Sequence, residues 1–366
     1  TNHITYRKFI PKDSTLEPAE TKMALPLKEI TIAERLKEAG YATGFFGKWH
    51  LADTPKRDGL GASEFYPEHQ GFDVNLGGCA HGGPPSYFDP YRIHNLKDRR
   101  EGEYLPDRLA DEAIRFMKQN RDKPFFVSLW NYTVHWPMQA PSELIKKYEK
   151  RLGPGLKDAR YGAMIEAMDA AIGRVFSAID DLELANRTVV IFTSDNGGFT
   201  GVADNRPLRS GKGFLWEGGI RVPLIIRWPG ATKPGSVSNT PVVSMDLHPT
   251  ILAAAGLKPG AGQAPDGESL LPLLRNQGRL HRSAVFFHYP NYAWHSANRL
   301  GSAVRKGDFK LIERFDDGSV ELYNLKNDLG ETRDLATQMP DQAAELKQLL
   351  HAWRKETGAA IPTRKK

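Results

Sequence analysis

Apolar positions along this chain recur with two different periods, and the switches between them outline the elements. Over residues 29–39, Ile32 and Leu36 fall on one helical face. Thr31 and Glu34 form a capping box that satisfies N–H groups of the first turn, and Gly40 stops the helix. Residues 41–46 then read as a strand. Leu109, Ala113, Ile114 and Met117 mark a helix after Asp107, and the positions from Tyr161 through Ile165, Met168 and Val175 to Ile179 mark a longer one. Short apolar runs over 125–129, 187–192 and 222–228 read as strands, and 245–255 as a helix. The run Val189-Val190-Ile191-Phe192 is apolar on both faces, which suits a buried parallel strand. The alternation predicts an α/β domain with a mostly parallel sheet flanked by helices.

The pattern changes near residue 280. Residues 284–288, 301–305, 309–314 and 320–324 read as short strands, with turns at Lys306-Gly307-Asp308 and Asp316-Asp317-Gly318. A last helix puts Leu346, Leu350 and Trp353 on one face. We expect two domains: 1–280, and a small antiparallel sheet with a packed helix over 281–366. The stretch from 48 to 106 is rich in glycine, proline and aromatic residues, shows little periodicity, and reads as a functional insertion.

Composition narrows the class. The chain has 366 residues, 40% apolar and 26% charged, an ordinary globular balance. No apolar run approaches the roughly 20 residues of a membrane span. The net charge of +6 is spread along the chain without a nucleic-acid motif, which reads first as a mildly basic surface and second as affinity for anionic substrates or polymers. The single cysteine, Cys79, excludes an internal disulfide and a cysteine-rich zinc site.

Three polar clusters each follow a predicted strand: Gly47-Lys48-Trp49-His50, Asn131 to Pro137 with His135, and Thr193-Ser194-Asp195-Asn196-Gly197-Gly198. Strand ends of an open parallel sheet share one edge, where ligands bind. Taken singly, Asp195-Asn196-Gly197-Gly198 is a turn, Lys48 a loop lysine, and Trp49 and Trp136 packing residues. Their coincidence at one edge favours a site. Asp195 and Asn196 offer hard oxygen donors for Ca²⁺ or Mg²⁺. Lys48 and Lys212 offer positive charge, and His50 and His135 offer imidazoles. Such a set suits an oxyanion ester, a sulfate or a phosphate.

These segments resemble the type I sulfatase family of the alkaline-phosphatase-like superfamily. The resemblance is carried by Gly40-Tyr41-Ala42-Thr43 through Gly47-Lys48-Trp49-His50-Leu51, by Thr193 to Gly198, by Leu208 to Gly213 with Glu217 to Pro223, and by Asp246-Leu247-His248-Pro249-Thr250. Val304 to Leu311 resembles the family's second domain. The resemblance implies an alkaline-phosphatase-like fold and removal of sulfate from a sulfated carbohydrate. It implies Ca²⁺, rather than Mg²⁺, on Asp195 and Asn196, and sulfate oxygens on Lys48 and Lys212. It implies that His50 bonds the nucleophile and that His135 contacts the bridging oxygen, with His135 or Lys212 as leaving-group acid. It implies a periplasmic or secreted location.

One part of the family pattern has no counterpart. Members carry an early strand ending in two metal-binding aspartates, then a Cys (or Ser)-x-Pro-x-Arg motif whose first residue becomes formylglycine. Cys79 is followed by Ala80-His81-Gly82-Gly83, and no serine begins the motif. We expect this sequence to be the later part of a longer enzyme, or another segment to fill the central strand position. For the leaving-group pocket we expect residues 77–91, with His81, and residues 288–295, with His288 and His295. The alternatives are a phosphoester or phosphonate hydrolase of the same superfamily, and a non-catalytic remnant that binds sulfated glycan.

Overall fold

The computed structural model describes residues 14–53, 60–260, 266–292 and 298–365. It begins with β1 (Leu16–Glu17) and α1 (Ile32–Glu38). The capping box of α1 is formed: the Thr31 hydroxyl accepts from the Glu34 N–H at 3.1 Å, and the Glu34 carboxylate accepts from the Thr31 N–H at 2.6 Å. Next come β2 (Ala42–Gly47), β3 (Val74–Leu76), α2 (Leu105–Gln119) and β4 (Phe125–Trp130). Their strands form a parallel sheet in the order β3-β2-β4. Every residue of β2 is buried. Adjacent strand residues face opposite ways, so Phe46 meets Phe116 of α2 edge-on while Phe45 meets Trp49, Phe72 and Trp130. Burying a ring as fully as Phe45 or Phe46 contributes about 1.5–3 kcal/mol.

The chain continues through α3 (Ser142–Glu149), α4 (Ala159–Asp181), β5 (Val190–Thr193), α5 (Glu217–Ile220) and β6 (Leu224–Arg227). Here the expected parallel order changes. β5 pairs antiparallel with β6, and among the described residues no ladder joins β5 to β4. Yet Val190 of β5 and Phe125, Val127 and Leu129 of β4 pack on one apolar patch built by Met117, Val175 and Ile179 of α2 and α4. Two sheets thus share one helical layer. Val190, Ile191 and Phe192 are only half-buried, although their sequence suits full enclosure.

After α6 (Leu247–Ala254) and α7 (Leu271–Leu274) comes the small sheet: β7 (Ala284–Tyr289), β8 (Gly301–Lys306), β9 (Phe309–Arg314) and β10 (Val320–Asn324). It is antiparallel throughout, in the order β10-β9-β8-β7. Helix α8 (Pro340–Thr357) buries Leu346 and Leu350 against Val304, Leu311 and Leu322, and Trp353 stacks on Phe286. The short β11 (Thr363–Arg364) pairs with β1, and Leu16 packs with Tyr292 and Leu300. The described N-terminal segment therefore lies against the C-terminal half. No helix of the described residues is long and apolar enough to cross a membrane.

Candidate active site

The site is assembled where β2, β4 and β5 end. β2 ends at Gly47, whose φ of +113° and closeness to β4 both require glycine: a Cβ there would lie 2.0 Å from the Trp130 carbonyl oxygen. The next N–H, of Lys48, donates to that carbonyl at 2.7 Å. His50 sits in the left-handed region at φ 59°, uncommon outside glycine, and its N–H donates to the Cys79 carbonyl at 2.9 Å. Trp49 between them turns inward and packs on Phe45 and Trp130.

The loop after β4 is held by tyrosines. The Tyr87 hydroxyl donates to the Tyr132 carbonyl at 2.7 Å and lies 3.0 Å from the His135 carbonyl. The Tyr132 hydroxyl donates to the Gly77 carbonyl at 2.7 Å. Gly83 lets the 77–83 loop reach His135, since a Cβ would fall 2.6 Å from its Nδ1. Beyond β5, the Lys212 N–H donates to the Gly198 carbonyl at 3.1 Å, which brings the lysine loop to the Asp195–Gly198 turn.

The charges of these groups act on one another. Burial, then the charge of Lys212, pushes the Lys48 ammonium down to about 8, with Asp195 opposing. Lys212 is likewise lowered by burial, and Asp195 again opposes. Burial and the Lys48 charge push His50 down to about 3, with His135, Lys212 and His81 adding to the shift. His135 falls to about 4 through burial, Lys48 and Lys212. Lys48, His50, His135, Lys212 and Asp195 therefore lie close enough for their charges to act on one another, with Asn196 beside Asp195. Near pH 7 the Lys48 ammonium therefore stands beside two neutral imidazoles, those of His50 and His135.

Asp195 is exposed, and its Oδ1 accepts from the Asn196 N–H at 3.0 Å. The Asn196 amide nitrogen donates to the Gly197 carbonyl at 3.1 Å, which leaves the amide oxygen to ligate. Two hard oxygens fit part of a calcium shell of 6–8. No cluster of three or more His, Cys, Asp or Glu ligands occurs among the described residues. Cys79 is buried, and burial raises its thiol, so it is a packing residue beside Tyr132.

The outer residues fall differently from expectation. His81 acts on His50 and also lines a pocket of about 400 Å³ with Arg92, Ile93 and His94. His288 is turned away from ligand duty: Nδ1 lies 2.7 Å from the Ser302 hydroxyl and Nε2 2.8 Å from the Ala360 carbonyl, so both nitrogens are spent inside the small sheet. His295 lies outside the described residues. Tyr87 and Tyr91 of the expected sugar loop are fully buried, with Tyr91 bonded to Glu103 at 2.9 Å. Their hydroxyls have internal partners, which makes them anchors rather than platforms. Trp136, read as packing, is 51% exposed with Arg160 over its ring. The anchoring role of Tyr87 and Tyr132 was the part the sequence reading missed. Their only signal is an aromatic residue set inside a polar loop.

The profile of the sulfatase family matches residues 5–257. The chain belongs to the sulfatase family. A second profile, N-sulphoglucosamine sulphohydrolase, C-terminal, matches residues 210–356 and so spans the small sheet. A sulfatase of Formosa agariphila is 33% identical over 386 residues, covering 88% of this chain and 69% of that protein. Arylsulfatase A of Homo sapiens is 33% identical, covering 89% of this chain and 71% of its own length. Among solved structures, Ps i-CgsB in complex with k-i-k-neocarrahexaose superposes with a TM-score of 0.76 at 28% identity, over 93% of this chain and 77% of that one. The parallel sheet with its helices and the C-terminal antiparallel sheet are the alkaline-phosphatase-like fold of this sulfatase family.

Proposed function

We propose that the cluster around Lys48 binds the sulfate group of a sulfated carbohydrate and serves hydrolysis of its ester. The observation that carries this reading is the backbone geometry that joins the start of the Lys48 loop to the end of β4 and the Lys212 loop to the Asp195–Gly198 turn, which leaves the charges of Lys48, Lys212, His50 and His135 acting on one another. Lys48 and Lys212 supply charge-assisted hydrogen bonds to terminal sulfate oxygens. Each lysine is weakened as a base by burial, so an arriving anion restores its proton affinity. In neutral His135, Nδ1–H donates to the Trp136 carbonyl at 3.2 Å and leaves Nε2 as an acceptor. A bound anion raises the ring's affinity for a proton, which His135 or Lys212 then gives to the leaving oxygen. His50, rigid on its left-handed backbone, orients the attacking group.

Asp195 and Asn196 hold part of a Ca²⁺ shell in this reading. The ion, when bound, would neutralise charge on the sulfate oxygens. The family's Cys (or Ser)-x-Pro-x-Arg motif has no counterpart in these residues, so no residue here is assigned as the nucleophile. The sugar is favoured by the likeness to a structure solved with k-i-k-neocarrahexaose and by the net charge of +6. A periplasmic or secreted location belongs to the same reading and is tested by cell fractionation.

The test compares sulfate and phosphate release from sulfated oligosaccharides and from paired aryl esters, using the protein as its gene encodes it. Sulfate release from the sugar, cut well over tenfold by His135→Ala, is expected. Faster phosphate release points to a phosphoester or phosphonate hydrolase. Glycan binding without turnover points to a non-catalytic binder.

A further inference from the structure

Between the two domains lies an ion triad with no access to water. Lys310 on β9 and Glu331 after β10 are 0% exposed, and Glu217 at the start of α5 is 3% exposed. Lys310 Nζ lies 3.0 Å from Glu217 Oε1 and 2.8 Å from Glu331 Oε1. Glu331 Oε2 accepts the Glu217 backbone N–H at 2.7 Å. The small domain thus holds α5 by both the side chain and the backbone of its first residue. Glu331 itself occupies the left-handed region at φ 52°, and its carbonyl accepts from Arg209 at 2.9 Å.

Helix α5 is in turn the plate on which the site rests. The Gly197 N–H donates to the Gly219 carbonyl at 3.0 Å, and the Gly218 N–H donates to the Arg209 carbonyl at 2.9 Å. The first bond pins the Asp195–Asn196 turn, and the second pins the start of the Lys212 loop. These backbones touch without room for a side chain. A Cβ on Gly197 would lie 1.8 Å from the Gly218 carbonyl oxygen, one on Gly218 2.3 Å from that of Arg209, and one on Gly211 2.2 Å from that of Gly198. In such a stack a shift of α5 passes directly to Lys212 and Asp195.

Cohesion between the domains does not need the triad, because Leu215 already packs with Ala303, Ile312 and Leu325. Buried ions add little net stability relative to apolar groups of the same shape, whereas they fix geometry. We propose that Glu217, Lys310 and Glu331 are positioning residues of the anion site, through which the small C-terminal domain sets Lys212 and the Asp195–Asn196 turn. This rests on the sulfate-binding reading above.

The experiment titrates inorganic sulfate into the full chain by calorimetry and follows folding by circular dichroism. Lys310→Met should raise the sulfate Kd at least about tenfold while the protein is folded. Ile312→Val, which loosens the apolar contact alone, should lower the thermal midpoint and change Kd less than about twofold. Glu331→Gln should retain more affinity than Glu331→Ala, since the amide keeps an acceptor. A folded Lys310→Met with wild-type Kd overturns the inference, as does an equal loss of affinity in Ile312→Val. Should Lys310→Met not fold, Glu331→Gln decides by amide exchange. Faster exchange at Gly197 and Lys212, with β8 unchanged, supports positioning, and unchanged exchange overturns it. Lys212→Ala separates the two levels. If it leaves sulfate affinity intact, the sulfate site itself is wrong and both ideas fall. If it abolishes affinity while Lys310→Met does not, only the positioning role falls.

Discussion

Replacing Lys48 by methionine should make this protein more stable and less able to hold sulfate. The magnitude follows from the depressed ammonium. Its proton affinity drops from the usual 10.5 to about 8 in the folded chain. At about 1.4 kcal/mol per unit of pKa, the folded state bears on the order of 3 kcal/mol of unfavourable charge burial. Methionine has similar length and no charge, so Lys48→Met removes that cost with little change in packing. The sign with pH is distinctive. Below about pH 8 the lysine is protonated both folded and unfolded, and the variant's advantage is complete. Between about pH 8 and 10.5 the folded wild type sheds the proton that the unfolded chain keeps, so its stability rises toward the variant's. Above that range the gap closes. Urea unfolding of both proteins at pH 7 and pH 10 measures it, and calorimetry with inorganic sulfate measures the accompanying loss of affinity. A variant less stable than wild type at pH 7, or a gap that does not shrink at pH 10, would refute the charge-burial argument.

Other outcomes follow from the same cluster. The imidazoles of His50 and His135, lowered to about 3 and about 4, should show no titration by NMR between pH 5 and 8 in the sulfate-free protein. Because unfolding restores their ordinary basicity near 6.5, their contribution to stability should be lost as pH falls from about 6.5 toward 4. The slope of stability against pH should flatten in the His50→Gln/His135→Gln double variant. Gly197→Ala forces a methyl group to within 1.8 Å of the Gly218 carbonyl oxygen, so thermal midpoint and sulfate affinity should drop together, with a stability loss of about 1–3 kcal/mol or more.

Much of this arrangement is legible in the residues, because periodicity and capping are local. The Thr31–Glu34 box, the turn at Lys306-Gly307-Asp308 and the strand Phe309–Arg314 appear where the pattern places them. The nearness of the segments that carry Lys48 and His135 is legible too, since both follow strands that are parallel neighbours, whereas Asp195 follows a strand of a separate sheet and no strand pairing accounts for its approach. The antiparallel pairing of β5 and β6 was hidden, because an apolar run does not state the direction of its neighbour. The three-residue β3 and the two-residue β1 and β11 are too short to show a period. His288 misleads for a related reason: a histidine beside aromatic residues looks the same in sequence whether it faces a ligand or Ser302. The Lys310 triad was equally invisible, since its three members come from segments joined only by the folded interface.

Strands β4 and β5 each present one flank of peptide groups that no ladder partner covers among the described residues. Uncovered flanks of this kind are sticky toward any extended chain, a second copy included. For anyone handling the protein, concentration then becomes an experimental variable. Turbidity and particle size should be tracked alongside every binding curve, because β4 and β5 lead directly into the loops that carry His135 and Asp195.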